Sequence, residues 1–370
     1  MKIILCGGGT AGHINPAIAV AEEIKKQSPK AEILFIGRDG GKENDLVIKA
    51  GLELKTVKIQ GLKRTLSVDN IKRVLCAIKA KGEAKKIIKS FAPDVILGTG
   101  GYVCWPVITA GHSLGISVVI HESNVSPGLT TKLLSSTADL VLLNHKETEK
   151  YLNKKVKTKV VGNPLRADFK SINREQARSK LRLSKNEILI TSFGGSIGAQ
   201  KLNEVVLEVM EKYSSKEKDI RHIHAMGKRY FPENVSSINK YPRCRILPYI
   251  SNMPQLLLAS DIVICRSGAV TLSEIAEVGV ASILIPSPNV SDNHQFKNAK
   301  HLADSGAATL IEEKNLTSAA LISIIKDLKN DENGRKKQAK KIKAFATPNS
   351  AKDIVKVLFS LKKGTKRAVF

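Results

Sequence analysis

The chain has 370 residues, of which 42% are hydrophobic and 4% aromatic, and it carries a formal net charge of +26. This length suits two domains rather than one, and the composition is that of a globular α/β protein rather than a disordered one. No apolar run approaches the roughly 20 residues of a membrane-spanning helix, Met1 leads directly into a predicted strand, and the five cysteines show no metal-like spacing, so we expect a cytoplasmic protein with reduced thiols.

The first predicted element is a short apolar strand, residues 3–6, that ends in a glycine-rich loop. The loop reads Gly7-Gly8-Gly9-Thr10-Ala11-Gly12-His13, and a helix is predicted over residues 16–27. Glycines allow a tight turn and let a phosphate approach the N–H groups at the positive end of the next helix. The glycines also match a dinucleotide fingerprint, but the second strand, residues 32–36, ends without a convincing acidic residue, so a dehydrogenase is the weaker interpretation. Simple turn chemistry is the remaining alternative.

A strongly basic segment follows between residues 55 and 89. It contains eleven Lys and Arg residues against two acidic ones, and apolar residues recur in it at helical spacing: Ile71, Val74, Leu75, Ile78, Ile87 and Ile88. This pattern is typical of a helix on an anionic membrane, and it equally fits a solvated helix whose apolar stripe faces the core. Because no nucleic-acid motif and no stacking aromatics accompany the charge, we expect no nucleic-acid partner.

Four more strands are predicted in the first half, and each ends in glycine-rich or polar sequence. Residues 95–97 lead into Gly98-Thr99-Gly100-Gly101-Tyr102, residues 118–120 into His121-Glu122-Ser123-Asn124, residues 140–143 into Asn144, and residues 160–161 into Gly162-Asn163-Pro164. Strands separated by helix-length segments predict a parallel sheet, whose carboxyl edge holds the ligand. The polar sequence that follows, to about residue 186, is a candidate linker.

The second half restarts with a second strand, glycine loop and helix. Residues 188–192 lead into Phe193-Gly194-Gly195-Ser196-Ile197-Gly198, and a helix begins near Lys201. Further strands are predicted near residues 222–225, 245–247, 262–265 and 282–285. Two glycine loops half a chain apart indicate a nucleotide sugar held by two Rossmann-like domains.

Two polar clusters follow the later strands of the second half. After residues 262–265 come Arg266-Ser267-Gly268-Ala269 and then Glu274; after residues 282–285 come Asp292-Asn293-His294-Gln295. A helix N-terminus suits a diphosphate, and the Glu274 carboxylate can accept hydrogen bonds from both ribose hydroxyls. The alternative for Glu274 is an acid in the first turn that complements the helix dipole.

Taken together, these motifs resemble the MurG family, the bacterial transferases that add N-acetylglucosamine to lipid I to give lipid II. The resemblance covers almost the whole chain and keeps the order of the motifs. It implies an α/β protein with the glycosyltransferase B fold, in which two Rossmann-like domains face a central cleft. Residues 1–164 would form the acceptor and membrane-associating domain, 165–186 a linker, 187–345 the UDP-sugar domain, and 346–370 a C-terminal helix, centred on residues 351–362, that returns to the first domain.

The resemblance also implies roles for single residues. Its donor-binding residues are Thr10, Ala11, Gly12, Asn124, Arg166, Ser196, Ile250, Ala269, Val270, Thr271, Leu272, Ser273, Glu274 and Gln295. Its acceptor-binding residues are Gly100, Gly101 and Tyr102. His13 is the candidate base, because a histidine titrates near neutrality, and its alternative role is a hydrogen bond to phosphate or sugar. Ala11 and His294 depart from the family pattern, which often has glycine and glutamine there.

The implied reaction is the inverting transfer of N-acetylglucosamine from UDP-N-acetylglucosamine to the C4 hydroxyl of the muramoyl sugar of lipid I. Helix N-termini would stabilise the departing UDP, and since the chain has no Asp-X-Asp motif we expect neither metal nor cofactor. Expected partners are the two substrates, an anionic membrane surface, and cell-wall synthesis and division proteins, with a peripheral location on the cytoplasmic face of the cell membrane. A nucleotide-sugar epimerase, a transferase for another lipid and a non-catalytic nucleotide-sugar-binding protein are the alternatives.

Overall fold

The computed structural model describes residues 1–41, 43–61, 68–195, 197–232 and 240–361. The chain forms two compact units, one containing Met1–Arg166 together with the chain from Thr347 onward, and the other Ala167–Ala346. Each unit contains one parallel sheet packed against helices, which confirms the predicted α/β class with two parallel-sheet domains. Within the described residues, no helix combines the length and the hydropathy that a bilayer crossing demands.

The strands fall at nearly the predicted places, with β3 and β13 in addition. In chain order they are β1 (Lys2–Cys6), β2 (Glu32–Arg38), β3 (Glu53–Val57), β4 (Val95–Gly98), β5 (Ser117–Glu122), β6 (Leu140–Leu143), β7 (Thr158–Val160), β8 (Ile188–Phe193), β9 (Ile220–Ala225), β10 (Cys244–Leu247), β11 (Ile262–Cys265), β12 (Ala281–Leu284) and β13 (Thr309–Leu310).

Helices fill most of the segments between the strands. They are α1 (Ala11–Gln27), α2 (Glu43–Lys49), α3 (Asp69–Phe91), α4 (Cys104–Ser113), α5 (Leu129–Leu134), α6 (Arg174–Lys180), α7 (Gln200–Val209), α8 (Met253–Ala259), α9 (Ala269–Val278), α10 (His294–Asp304), α11 (Ser318–Asn330), α12 (Glu332–Lys343) and α13 (Ser350–Ser360). Short 3-10 helices occur at Lys146–Tyr151, Ala167–Lys170, Ser291–Asn293 and Glu313–Asn315, and α7 continues into a π-helical turn, Met210–Ser214.

The sheet of the first unit has the order β3-β2-β1-β4-β5-β6-β7, and all its strand pairs are parallel. Successive residues of β1 are fully buried against opposite faces: Ile3 packs in one core cluster and Ile4 in the other. Such two-sided burial is why the strands are continuously apolar. The chain reverses its direction of winding between β1 and β4, so the crevice beyond their carboxyl ends is a topological switch point, where ligands bind in open α/β sheets.

The helices of the first unit divide between the two faces of the sheet. Helices α1, α2 and α13 contribute to one core cluster, in which Ile354 and Leu358 of α13 are fully buried. Helices α3, α4 and α5 cover the other face, with α4 packed between α3 and α5. The first unit is therefore completed by a helix from the end of the chain. Residues 362–370 of the predicted C-terminal segment lie outside the described residues.

The sheet of the second unit has the order β10-β9-β8-β11-β12-β13, with its switch point between β8 and β11. The segment interpreted above as a linker, 165–186, contains the 3-10 helix Ala167–Lys170 and α6. Two arginines of α6 hold it to this unit, because Arg174 and Arg178 contact the Asp261 carboxylate at 2.6 and 3.0 Å. Asp261 in turn accepts a hydrogen bond from the backbone of Leu189 at the start of β8.

Helix α1 begins at Ala11, five residues before the predicted start at Pro16. Proline is favoured at the first position of a helix, which is why the sequence suggested that start. In the structure Pro16 lies inside the helix and is buried, and the loop ends at Thr10. Consequently His13 is the third residue of the helix rather than a loop residue, and its position is fixed by helical geometry.

Candidate active-site residues in the two units

The two glycine loops of the first unit pack against each other beyond β1 and β4. The backbone N–H of Gly8 donates to the carbonyl oxygen of Gly100 (3.2 Å), and the Thr99 hydroxyl donates to the carbonyl oxygen of His13 (2.6 Å). Gly101 has a φ of +83°, and a Cβ there would overlap the carbonyl oxygen of Gly8. Only glycine meets both conditions, so the two loops form one joined surface.

The His13 side chain packs against the Gly100–Tyr102 loop, which the resemblance assigns to the acceptor. The imidazole is half-buried in the first turn of α1, and a Cβ at Gly100 would overlap its Nδ1 atom, so the ring packs directly on the Gly100 backbone. Tyr102 lies nearby, with its ring 3.4 Å from a Cβ built at Gly9 and 3.0 Å from one built at Gly61. The structure thus brings the candidate base together with the predicted acceptor residues.

The donor-assigned residues of the first loop also lie here. Thr10 is the N-cap of α1, with an extended backbone, and Ala11 and Gly12 form the first turn of the helix. The first N–H groups of a helix have no partner within it, and the macrodipole makes this end positive. The first turn contains no acidic residue. This arrangement suits a phosphate or a sugar oxygen.

Asn124 is held in place by a buried carboxylate, Glu122. One Glu122 oxygen accepts from the backbone and side-chain nitrogens of Asn124, both at 2.9 Å. The other accepts from the Gly128 N–H (3.0 Å) and the Thr131 hydroxyl (2.6 Å). The Thr148 hydroxyl also donates to the Asn124 carbonyl oxygen (3.1 Å). Glu122 therefore fixes both the donor-assigned Asn124 and the start of α5.

His121 is a buried neighbour of this cluster. Its Nε2 lies 2.8 Å from the carbonyl oxygen of Gly162, and its Nδ1 is buried without a hydrogen-bond partner in the described part of the chain. Burial lowers the pKa of the His121 imidazole, so the ring is neutral near neutral pH. Next to it, Ser123 donates to Asn163 (3.1 Å), which joins β5 to the end of β7. These contacts are structural and support the position of Asn124.

The glycine loop of the second unit packs on the turn that follows β9. Gly198 has a φ of +92°, and a Cβ there would overlap the carbonyl oxygen of Met226. That carbonyl also accepts from the Asn203 amide (2.9 Å), which places Asn203 of α7 behind the loop. Ser196, assigned to the diphosphate, lies outside the described residues.

A buried hydrogen-bond chain continues from Asn203 into the second unit. Its members are Asn203, His224, Ser192, His222 and Ser214, joined by contacts of 3.2, 2.8, 2.9 and 3.0 Å. Burial lowers the pKa of His224 to about 4 and that of His222 to about 3. Both imidazoles are therefore neutral in the folded protein. This series of neutral hydrogen bonds joins Asn203, which lies behind the glycine loop, to the core.

Helix α9 begins with the donor-assigned residues. Gly268 is its N-cap, and its first six residues are Ala269, Val270, Thr271, Leu272, Ser273 and Glu274. Glu274 is half-buried in the second turn, and the first turn has no acidic residue, so the interpretation of Glu274 as a first-turn acid is wrong. Ser267 precedes the cap, and its hydroxyl is buried without a partner among the described residues.

The Arg266 side chain is held by partners within the second unit. Its guanidinium donates to the carbonyl oxygens of Ile285 and Pro286, both at 3.2 Å, and pairs with Glu313. These contacts join the carboxyl ends of β11 and β12. The small residues after Arg266 leave the backbone as the main polar surface at the start of α9.

The other donor-assigned residues lie in three different environments. Gln295 is the second residue of α10, and its amide oxygen accepts from the Ser287 N–H (2.9 Å), so its amide nitrogen is the atom suited to a ligand oxygen. Asp292 and Asn293, just before it, have φ values of +54° and +48°. Ile250 is buried after β10, and Arg166 is half-buried as the last residue of its unit before the chain enters the second.

Three supporting residues carry no role in the sequence interpretation. Thr99 and Glu122 lie inside motifs that were recognised, and Asn203 lies on a helix of the second unit. The available signal was a polar residue shortly after a predicted buried strand or on the apolar face of a helix. Such a residue needs hydrogen-bond partners when it is buried, and here the partners are the loops themselves.

Known proteins match this chain along nearly its whole length. Models of the glycosyltransferase family 28 N-terminal and C-terminal domains match residues 3–143 and 189–358. The UDP-N-acetylglucosamine--N-acetylmuramyl-(pentapeptide) pyrophosphoryl-undecaprenol N-acetylglucosamine transferase of Acetivibrio thermocellus is 42% identical, with 98% of this chain and 99% of that protein aligned.

Among solved structures, MurG of Acinetobacter baumannii is 27% identical with a TM-score of 0.75, covering 97% of this chain and 99% of that one. A UDP-N-acetylglucosamine 2-epimerase from Neisseria meningitidis has a TM-score of 0.66 at 14% identity, with 97% and 100% covered, which is a likeness of fold alone. The resemblance inferred from the motifs is confirmed: the chain belongs to the MurG family of UDP-N-acetylglucosamine-dependent glycosyltransferases, within glycosyltransferase family 28.

Proposed function

We propose that this chain transfers N-acetylglucosamine from UDP-N-acetylglucosamine to the C4 hydroxyl of the muramoyl sugar of lipid I, with inversion at the anomeric carbon, to give lipid II. The transfer of this sugar to such an acceptor is what the names of its relatives state. The observation that carries the mechanism is the packing of the His13 imidazole on the Gly100–Gly101 loop. That contact puts a proton acceptor beside the loop assigned to the acceptor.

His13 acts as the general base in this proposal. As the C4 hydroxyl attacks, a neutral imidazole nitrogen takes its proton, and the glycosidic bond to the UDP oxygen breaks on the opposite face of the sugar. The carbonyl of His13 is fixed by Thr99, so the base-bearing turn is held to β4. A base held in one position favours proton transfer, because less motion is needed to reach the transition state.

The donor is held by helix starts and by two positioned amides. The α9 N-terminus, beside the Ser267 hydroxyl that has no partner among the described residues, provides N–H and O–H donors for the leaving diphosphate. Glu274, one turn further on, accepts from the ribose hydroxyls. The resemblance assigns contacts with the N-acetylglucosamine to Asn124, which Glu122 fixes within the first unit, and to Gln295 within the second. Because their supports are internal to each unit, these groups are oriented before the substrate binds.

The part of the protein that contacts the membrane is the first half of α3. Its apolar residues Ile71, Val74, Leu75 and Ile78 are all exposed, whereas Ile88 in the second half is fully buried. The interpretation that the stripe faces the core is therefore wrong for the first half and confirmed for the second. An exposed apolar stripe among lysines fits the headgroup region of an anionic bilayer, so we place the protein peripherally on the cytoplasmic face of the cell membrane.

Acceptor-dependent release of UDP from UDP-N-acetylglucosamine tests the activity, with a lipid I analogue as acceptor. We expect release only when the acceptor is present, and formation of an epimerised UDP-sugar without acceptor would favour the epimerase alternative instead. His13→Ala should lower kcat by about 10²- to 10⁴-fold while the Kd for UDP-N-acetylglucosamine is unchanged. His112→Ala, at the far end of α4, is the matched control and should keep full turnover. Unimpaired turnover of the His13 variant would remove it as the base.

A further inference from the structure

Helix α5 presents two large apolar side chains to solvent. Leu129 is 63% exposed and Leu133 55% exposed, and residues four apart share one face of a helix. The opposite side of α5 is anchored, because Leu134 is buried in the core and the Thr131 hydroxyl donates to Glu122. The exposed leucines therefore do not result from a loosely attached helix. They form a fixed outward apolar face.

This face lies at the same edge of the same unit as the exposed half of α3. A helix that follows a parallel strand begins at the carboxyl edge of the sheet, so the start of α5 and the first half of α3 both lie at that edge. Both helices also cover the same face of the sheet, on either side of α4. Helix α4 itself begins directly after the Gly100–Tyr102 loop.

Each of the two helices is joined to candidate site residues. On the α3 side, the Arg73 guanidinium donates to the carbonyl oxygen of Gly61, whose backbone lies against the Tyr102 ring. On the α5 side, Glu122 binds both Thr131 and Asn124. The exposed apolar residues of the two helices therefore flank the acceptor-assigned loop.

The charge around α5 suits an anionic partner. The sequence from Val125 to Ala138 contains no acidic residue, and Lys132 lies exposed between the two leucines. An outward leucine pair with a lysine fits the boundary between acyl chains and anionic headgroups, where the lysine stem can extend toward the headgroups. A protein partner that recognised this face by charge would have to be acidic, whereas a bilayer needs only the apolar pair and the net positive charge of +26.

We propose that α5 is a second lipid-contacting element, in which Leu129 and Leu133 enter the acyl region of an anionic bilayer while α3 contacts the same surface. This inference deepens the membrane contact proposed above and rests on it. Two contacts on either side of the acceptor loop would fix the orientation of the unit on the membrane. A diphosphate carried by a membrane lipid would then meet that loop at the headgroup level.

The test measures binding of the full chain to vesicles of phosphatidylglycerol and phosphatidylcholine. We expect Leu129→Ser/Leu133→Ser to weaken binding at least about tenfold, because two leucine side chains lose their burial in lipid. Ile48→Ser is the matched control: Ile48 is 63% exposed on α2, which packs on the opposite face of the sheet, and its loss should leave binding unchanged. Ile71→Ser/Leu75→Ser on α3 tests the membrane contact on which the inference rests.

The outcomes separate the two proposals. Loss of binding in the α3 variant but not in the α5 variant overturns the second contact and leaves the first, and loss in neither overturns both. A raised KM of the α5 variant for a short-chain, water-soluble acceptor would mean that the leucines bind acceptor rather than bilayer. A change in self-association at assay concentrations would assign the face to a second copy of the chain.

A direct readout does not depend on affinity. In a Trp105→Phe background, which removes the single native tryptophan, Leu133→Trp should be quenched by vesicles with brominated acyl chains. Ile48→Trp in the same background should not be quenched. Equal quenching of both, or of neither, would overturn the placement of α5 in the acyl region.

Discussion

Acidification should destabilise the second unit through its two buried histidines. His222 and His224 are fully buried, and their pKa values fall from 6.5 to about 3 and about 4 because burial disfavours the charged imidazole. Above pH 6.5 neither the folded nor the unfolded chain protonates them, so stability does not depend on them there. Below pH 6.5 these histidines bind protons in the unfolded chain but not in the folded chain. The free energy of unfolding therefore falls as the pH falls, until the folded pKa values are reached.

The size of the effect follows from these values. At one pH unit below the pKa of the unfolded chain, protonation of each histidine stabilises the unfolded state by about 1.4 kcal/mol. This free energy is RT ln 10 for one proton that only the unfolded chain binds. Lowering the pH from 7.5 to 5.5 should therefore reduce the free energy of unfolding of this unit by about 3 kcal/mol from the pair. This is a large share of the stability of a typical domain.

Hydrogen exchange of the β8 and β9 amides, corrected for the intrinsic pH dependence of exchange, measures that free energy within one unit. A two-unit chain makes a single global melting curve harder to assign. His222→Gln/His224→Gln should be less stable at pH 7.5 and should lose most of the slope between pH 6.5 and 5.5. His301→Gln, a histidine of the same unit outside the network, should keep the native slope. An unchanged slope in the double variant would refute the reasoning.

Three further substitutions test two supports of the candidate site and the attachment of α6. Gly101→Ala places a Cβ on the Gly8 carbonyl at a φ of +83°, so transfer should fall at least about tenfold with unchanged circular dichroism; native activity would mean that the loops are not in contact. Glu122→Gln replaces an acceptor oxygen by an N–H₂ facing other donors, at a cost of about 1–3 kcal/mol, and should raise the KM for UDP-N-acetylglucosamine with a smaller change in kcat. Asp261→Ala leaves two α6 arginines without their carboxylate and should lower the melting temperature, and Glu32→Ala, whose ion pair with Lys2 is solvent-exposed, is the control with almost no change.

Short apolar runs that end in glycine-rich or polar sequence were enough to predict most strands and the parallel arrangement of both sheets. Strand β3 was missed because Glu53 and Lys55 interrupt its hydrophobicity: it lies at the edge of the sheet, and these two of its five residues are exposed. Strand β13 has only two residues, too few to show the hydrophobic pattern of a strand. The start of α1 was misplaced because local proline preference suggested a boundary that tertiary packing overrides.

The candidate site was predictable in its parts and less so in its supports. The motifs indicated His13 and Asn124, since polar residues after strand ends are visible in a sequence. What holds them was not visible in the sequence. The partner of Thr99 is a backbone carbonyl 86 positions away, and the carboxylate of Glu122 accepts from four donors on Asn124, Gly128 and Thr131. The sequence did not distinguish a membrane-bound α3 from one whose apolar stripe faces the core. The structure distinguishes them, because the stripe is exposed in the first half of α3 and Ile88 is buried in the second.

The hydrogen bond from Thr99 to the carbonyl of His13 has a consequence for the timing of catalysis. The Thr99 hydroxyl, directly after β4, binds the main-chain carbonyl in the first turn of α1, so the backbone that carries the imidazole is tied to the end of the neighbouring strand. Such a frame is preorganised, so little reorganisation energy remains to be supplied during the reaction. We therefore expect the ordering of His13 to be the same in the free enzyme and in the complex with its substrates.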